Sequence, residues 1–182
     1  MTTQLIAHEN HAVYDISYEN DQGRFATAGE DGTVRLFDLR DLNHSTIIYE
    51  AQRPLLRVAQ NKLKPNELAV MEEDCKRVVL IDKRKPYVMT GHLLQNQEED
   101  EQVNAIAWHP HNGTDICTAG NRGRALIWNL EEGESEQGQQ PEYQPAFAYD
   151  AGAPIKNIQW CEAKDSWVSI CFGNQLQTLR FC

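Results

Sequence analysis

Long apolar runs are missing from this sequence: no stretch approaches the roughly 18–20 consecutive apolar residues that a membrane span requires. The opening residues, Met1-Thr2-Thr3-Gln4-Leu5-Ile6, have neither a basic flank nor an apolar core, so no secretory signal is visible. The five cysteines (Cys75, Cys117, Cys161, Cys171, Cys182) form no C-x-x-C pair, and three of them sit inside apolar runs. That pattern favours reduced core thiols in the cytosol or nucleus over a disulfide framework or a zinc site. Positive charge is in deficit: the formal net charge is −10, whereas a dedicated nucleic-acid binder presents a basic footprint. No Gly-rich phosphate loop precedes a helix, and no serine sits in a nucleophile elbow. The absences lead us to expect a protein that is not an enzyme and holds no cofactor and no metal.

What the sequence does contain is a repeat. At 182 residues, 41% hydrophobic and 24% charged, the chain is long enough for one domain with a real core. Three apolar runs end in a bulky residue followed by an acid or amide: Val34-Arg35-Leu36-Phe37-Asp38, Val78-Val79-Leu80-Ile81-Asp82 and Ala125-Leu126-Ile127-Trp128-Asn129. The acid or amide recurs after 44 and then 47 positions, close to the period of about 40–45 residues of WD40 repeats. A fourth run, Leu176-Gln177-Thr178-Leu179-Arg180-Phe181, closes the chain on the same theme. In the first unit, the Asp31-Gly32 turn between alternating runs is a strong hairpin signal.

These spacings predict an all-β chain, a WD40 β-propeller with about four blades of a seven-bladed ring. The blades are expected near 5–50, 51–90, 91–130 and 145–182. Two polar segments, 94–102 with its acidic run Glu98-Glu99-Asp100-Glu101 and 131–144, read as solvated loops.

In such a blade a loop His, a strand Ser/Thr, a turn Asp and a strand Trp can link into a buried hydrogen-bond chain, because each polar group is tolerated in a core only when satisfied. The first unit offers His8, Thr27 and Asp31, with Phe37 where an indole is expected. The third offers His92, Thr118 and Trp128, with Arg122 at the turn. Thr27 and Thr118 each lie ten residues before the aromatic. His92, His109 and His111 invite a metal-site reading, but their turn and network positions give the plainer structural one. Trp108, Trp128, Trp160 and Trp167 lie on strands and are expected to pack between blades, with a rim-exposed anchor as the alternative.

Several blocks resemble one WD40 group in particular. They are Gln4-Leu5-Ile6-Ala7-His8, Val34 to Arg40, His44-Ser45-Thr46-Ile47-Ile48-Tyr49-Glu50, Pro54-Leu55-Leu56-Arg57, Ile116-Cys117-Thr118-Ala119 and Ala125-Leu126-Ile127-Trp128. The group includes the plant transparent testa glabra regulator and animal members described as cullin-ligase-associated factors and kinase-binding scaffolds. Members are about twice as long, so the chain looks like a C-terminal half, an open array expected to expose strand edges and apolar faces. It departs from the group by an extra residue between His8 and Val13, by the acids at Glu98 to Glu101, and by the expanded stretch Gly138 to Gln144.

The resemblance implies a protein–protein interaction scaffold, cytoplasmic and nuclear. Its partners would be kinases, basic helix-loop-helix or MYB-type transcription factors, or the adaptor of a cullin ligase, without direct contact to nucleic acid or membrane. The alternative is a substrate receptor of a cullin-RING ubiquitin ligase. Phe37-Asp38-Leu39-Arg40 and Ile81-Asp82-Lys83-Arg84 resemble the bulky-Asp-x-Arg motif that docks onto a ligase adaptor. Asp38, Arg40, Asp82 and Arg84 are therefore the candidate docking residues, a pre-organised Arg being suited to charge-assisted hydrogen bonds. The plainer reading is that each Asp–Arg pair only caps its strand.

Overall fold

The computed structural model describes residues 4–19, 23–74, 76–95, 101–131, 133, 141 and 143–181. Fifteen strands lie among them. The first sheet contains β1 (Val13–Tyr18), β2 (Arg24–Gly29), β3 (Thr33–Asp38) and β4 (Asp41–Glu50). The second contains β5 (Leu55–Gln60), β6 (Glu67–Glu72), β7 (Arg77–Asp82) and β8 (Met89–Leu94). The third contains β9 (Val103–Trp108), β10 (Asp115–Gly120), β11 (Arg124–Asn129) and β12 (Pro145–Asp150). The fourth contains β13 (Ile155–Trp160), β14 (Trp167–Phe172) and β15 (Gln175–Arg180). Each sheet is an antiparallel meander in chain order. Among the described residues no helix is long and apolar enough to cross a membrane.

Two expected boundaries move. Residues 145–150 pair with β11 and belong to the third sheet, so the fourth sheet begins at Ile155. Gly91-His92, read as the opening of the third unit, lies inside β8, where His92 pairs with Val79. The supposed solvated loop 94–102 is also corrected: Leu94 ends β8, while Gln95 and Glu101 are buried. Residues 96–100 and 134–140 of the two expected loops lie outside the described residues. From the second loop, Tyr143 packs against the core shared by the second and third sheets.

Alternation explains why the middle sheets hold together. In β7, Val79 and Ile81 face the first sheet while Val78 and Leu80 face the third. In β11, Leu126 and Trp128 face the second sheet while Ala125 and Ile127 face the fourth. Period-2 strands buried on both faces need apolar residues at every position, which is why Val78-Val79-Leu80-Ile81 reads as a continuous run. The first sheet turns Ile16 and Tyr18 outward, each about half exposed, and Leu176 is exposed on the fourth.

The inner strands β1, β5, β9 and β13 are neighbours in succession. Trp108 at the end of β9 donates its indole N–H to the Ala59 carbonyl of β5 at 3.0 Å. Trp160 at the end of β13 repeats the contact to Ala107 of β9, also at 3.0 Å. Between the first two sheets, Asp15 accepts the Val58 N–H and Ser17 the Gln60 N–H, each at 3.0 Å. Turn chemistry repeats too. Gly32 (φ +73°) and Gly123 (φ +89°) close the hairpins between the second and third strands of their sheets. Their carbonyls accept Ala51 N–H and Ala151 N–H at 2.8 Å, and the chain passes so close that a Cβ at Gly32 would meet Ala51 O at 2.5 Å.

Candidate protein-binding site

In the first sheet the structure brings His8, Thr27 and Asp31 together. Asp31 is acceptor-only when ionised, so His8 donates Nδ1–H to its Oδ1 at 2.8 Å, leaving Nε2 to face the Thr27 hydroxyl at 2.8 Å. Burial pushes the Asp31 carboxyl up, but the Thr33 N–H and hydroxyl and the His8 ring outweigh it and hold the pKa below its ordinary value. Arg35 adds an ion pair at 3.2 Å. Phe37 stacks on Phe25, ring centroids 5.2 Å apart, where an indole would have donated.

In the third sheet the members differ from expectation. Trp128 donates its indole N–H to the Thr118 hydroxyl at 2.9 Å, and Thr118 donates to Gln95 Oε1 at 2.5 Å. Gln95 Nε2 then donates to the Arg124 carbonyl at 3.0 Å. His92 is not in this chain; its Nδ1 is buried without a hydrogen bond. Gln95 fills the role given to His92. An amide accepts and donates at once, as a neutral imidazole does. The signal lay in the spacing: His8 precedes its Thr by 19 residues and Gln95 by 23, whereas His92 precedes Thr118 by 26.

His109 and His111 lie in the turn after β9. The His109 ring meets Trp160 edge-on with centroids 4.4 Å apart, and its Nδ1 accepts the N–H groups of His111 and Asn112 at 3.1 and 2.9 Å. Among the described residues no three His, Cys, Asp or Glu side chains are grouped to hold a metal ion. Burial holds the His109 pKa below the ordinary 6.5, against the opposing pull of Asp115 and Asp165. An unfolded chain thus takes up this proton before the folded one does. His109 stabilises the fold fully above pH 6.5 or so, and that contribution is lost as the pH falls from there towards the depressed folded value. Unfolding temperatures of the native chain should fall between pH 7.5 and 5.5, and His109→Asn, whose amide oxygen can still accept, should flatten the slope. Parallel profiles for the two would contradict this reading.

Trp108, Trp128 and Trp160 are buried and Trp167 half-buried. Among the described cysteines, Cys117 is fully buried, and that burial pushes its thiol pKa far up; Cys161 and Cys171 are free and half-buried.

The candidate docking residues form one motif built twice. At the end of β3, Asp38 Oδ1 accepts the N–H of Arg40 at 2.9 Å, an Asx turn that lets the chain reverse into β4. The same carboxylate takes Arg40 Nε at 2.8 Å and Nη2 at 2.5 Å. At the end of β7, Asp82 accepts the Arg84 N–H at 2.9 Å, Nε at 3.0 Å and Nη2 at 2.7 Å. Hydrogen bonds from Arg40 and Arg84 hold both carboxyls below the usual range and raise the guanidinium pKa values in turn. Both arginines stay open to solvent, their side chains 79% and 69% exposed. The third sheet keeps the turn but not the charge: Asn129 accepts the Glu131 N–H at 2.9 Å.

Sequence reasoning missed what lies between the two arginines. Lys83 turns inward and its ammonium meets Glu19, at the exit of β1; the two side chains are 8% and 1% exposed. Arg24 Nε lies 2.9 Å from the other Glu19 oxygen, close enough for an ion pair but without hydrogen-bond alignment.

Comparison with known proteins agrees with these repeats. The WD40 family profile (WD domain, G-beta repeat) matches residues 1–38 and 84–129. The chain is built of WD40 repeats. Its four sheets are a partial WD40 β-propeller. The WD40 chain is 39% identical over 180 residues to a DDB1- and CUL4-associated factor 7 homolog of Dictyostelium discoideum, an alignment covering 98% of this chain and 53% of that protein. It is 34% identical over 148 residues to a WD repeat-containing protein of Saccharomyces cerevisiae, covering 70% of this chain and 28% of the relative. An uncharacterized WD repeat-containing protein of Schizosaccharomyces pombe is 33% identical over 149 residues, 71% of this chain and 33% of its own length. The chain spans about half the length of the first of these relatives and a third or less of the other two.

Proposed function

We propose that the WD40 chain is a non-enzymatic scaffold, cytoplasmic and nuclear, that assembles regulatory complexes of protein kinases or of basic helix-loop-helix and MYB-type transcription factors. Its sheets share buried cores and leave their turns at the strand ends for partners, so one stiff body raises the local concentration of whatever it holds. The observation that carries the reading is the pair of identical Asp-x-Arg turns, Asp38/Arg40 and Asp82/Arg84, each with its guanidinium pre-oriented by its own carboxylate and exposed. Pre-orientation lowers the ordering cost of binding, and an Arg fork suits a carboxylate on a partner.

The same turns favour a second reading, a substrate receptor of a cullin-RING ubiquitin ligase. The Dictyostelium relative is named for association with DDB1 and CUL4, and Arg40 and Arg84 would be the residues that meet the DDB1 adaptor. Charge reversal at both (Arg40→Glu with Arg84→Glu) should weaken binding of purified DDB1 about tenfold or more, measured below an unfolding temperature that falls somewhat because the buried Asp82 loses its Arg84 partner. Binding that is unchanged rejects adaptor docking through these turns. The two readings separate in cells: if bound clients accumulate when the protein is removed, it is a receptor; if their joint activity falls without accumulation, it is a scaffold.

A further inference from the structure

Both carboxylate oxygens of Glu101, just before β9, are buried, and among the described residues no hydrogen bond reaches either of them. Arg124 Nη1 stops 3.7 Å from Oε2, an ion pair too long for a hydrogen bond, and the Arg124 side chain is itself 39% exposed. Other buried acids are better served: Asp31 by His8 and Thr33, Glu19 by Lys83, Asp82 by Arg84. A carboxylate that loses its hydration without gaining donors is costly, so its presence needs a reason. Space is also kept for it. Gly120 ends β10 at a φ outside the left-handed region, so its backbone does not demand glycine, yet a Cβ there would meet Glu101 Oε1 at 2.9 Å.

Glu101 is part of the wall of a cleft of about 720 Å³, framed by the β4–β5 connection, the β6–β7 turn and the entry to β9. That volume lies in the range of ligand sites. The strands β4 and β7 run between this cleft and the Asp38/Arg40 and Asp82/Arg84 turns, so the cleft lies at the opposite strand ends. Its charged lining divides by burial. Glu72 and Glu101 are buried, and the buried Tyr49 donates its hydroxyl to Glu72 at 3.2 Å. The lysine and arginines of the lining, Lys76, Arg77 and Arg53, are half-buried or exposed, and Arg77 comes no nearer to Glu72 than 3.9 Å. The buried wall is therefore negative and holds no buried cation among the described residues.

We propose that this cleft takes an arginine side chain from a segment of a partner protein, with Glu101 as the acceptor of the guanidinium and Glu72 adding negative charge beside it. Two oxygens without donors match the two parallel N–H groups of a guanidinium fork, and an arginine sheds its hydration more readily than a lysine does. The cleft is larger than one side chain, which leaves room for the residues that flank the arginine. A net charge of −10 favours the approach of a basic segment. The site shares no residue with the Asp-x-Arg turns and stands whether or not those turns dock an adaptor.

The test is calorimetric titration of the full chain with the capped peptide acetyl-Gly-Arg-Gly-amide and with its citrulline counterpart, which keeps the shape of arginine and drops the charge. The arginine peptide should bind saturably and the citrulline peptide about tenfold or more weakly. Glu101→Gln should weaken the arginine peptide by a similar factor. The same variant should keep or raise the unfolding temperature, since the carboxylate has no hydrogen bond to lose and Arg124 is left in contact with water. Failure of the arginine peptide to saturate, equal binding of the two peptides, or unchanged binding by Glu101→Gln each overturns the site. A lower unfolding temperature for Glu101→Gln overturns it too, because Glu101 would then be the structural partner of Arg124 and not a free acceptor.

Discussion

Replacing Lys83 with methionine should destabilise the chain by about 3 kcal/mol, the lower end of what removing one partner of a buried ion pair costs. The reason is the group left behind. Glu19 is 1% exposed, and without Lys83 its carboxylate keeps, among the described residues, the poorly aligned Arg24. A buried charge without a well-placed partner loses its hydration and gains little in return. Urea unfolding should show a lower midpoint with an unchanged slope, since the surface exposed on unfolding is the same. The double variant Lys83→Met, Glu19→Leu is the control, because it removes both charges and should recover most of the loss. A single variant as stable as the native chain would mean that Glu19 finds water or Arg24 at no cost, and the fastening of the first two sheets would have to lie elsewhere.

Thr118→Val should cost about the same, roughly 3 kcal/mol, although it changes almost no volume. The Thr118 hydroxyl receives the Trp128 indole N–H and gives its own proton to Gln95. Valine leaves both partners buried, with one donor and one acceptor unmade, and each such group carries a penalty of about 1–3 kcal/mol. Thr118→Ser keeps the hydroxyl and should lose less. The same logic separates Gln95 from His92. Gln95→Ala should fall close to Thr118→Val, whereas His92→Ala should shift stability by about 1 kcal/mol or less, since no hydrogen bond reaches His92 Nδ1. Calorimetry on the four variants reads this directly. A His92 effect as large as that of Gln95 would restore the histidine to the network and remove the amide from it.

How much of this was legible beforehand varied with the range of the interaction. The antiparallel hairpins and the all-β class were open to reading, because alternation and Asp-Gly turns act over a few residues and the period of about 44 exposes their repetition. The first-sheet network was legible for the same reason, its members lying at repeat spacing. The strand boundary near 145 was not: Pro145-Ala146-Phe147-Ala148 can pair with either neighbour, and only the partner edge of β11 assigns it. Gln95 was hidden by residue type, since the network needs a group that accepts and donates, and a histidine stood three positions away to claim the role.

By itself, then, the sequence determined the repeat, most of the strands, the turns at Gly32 and at Arg122, and the Asp-x-Arg signatures, all of which follow from local propensity and spacing. Only the tertiary structure decided which sheet owns β12, that Lys83 faces inward while Arg84 faces out, that Trp108 and Trp160 bond to the preceding inner strand, and that Tyr87 stands exposed at a positive φ. Those outcomes depend on which backbone edges and which buried charges meet across the chain, from 17 residues (Trp128 to Pro145) to 64 (Glu19 to Lys83). Packing geometry selects such pairings, and no local pattern encodes them.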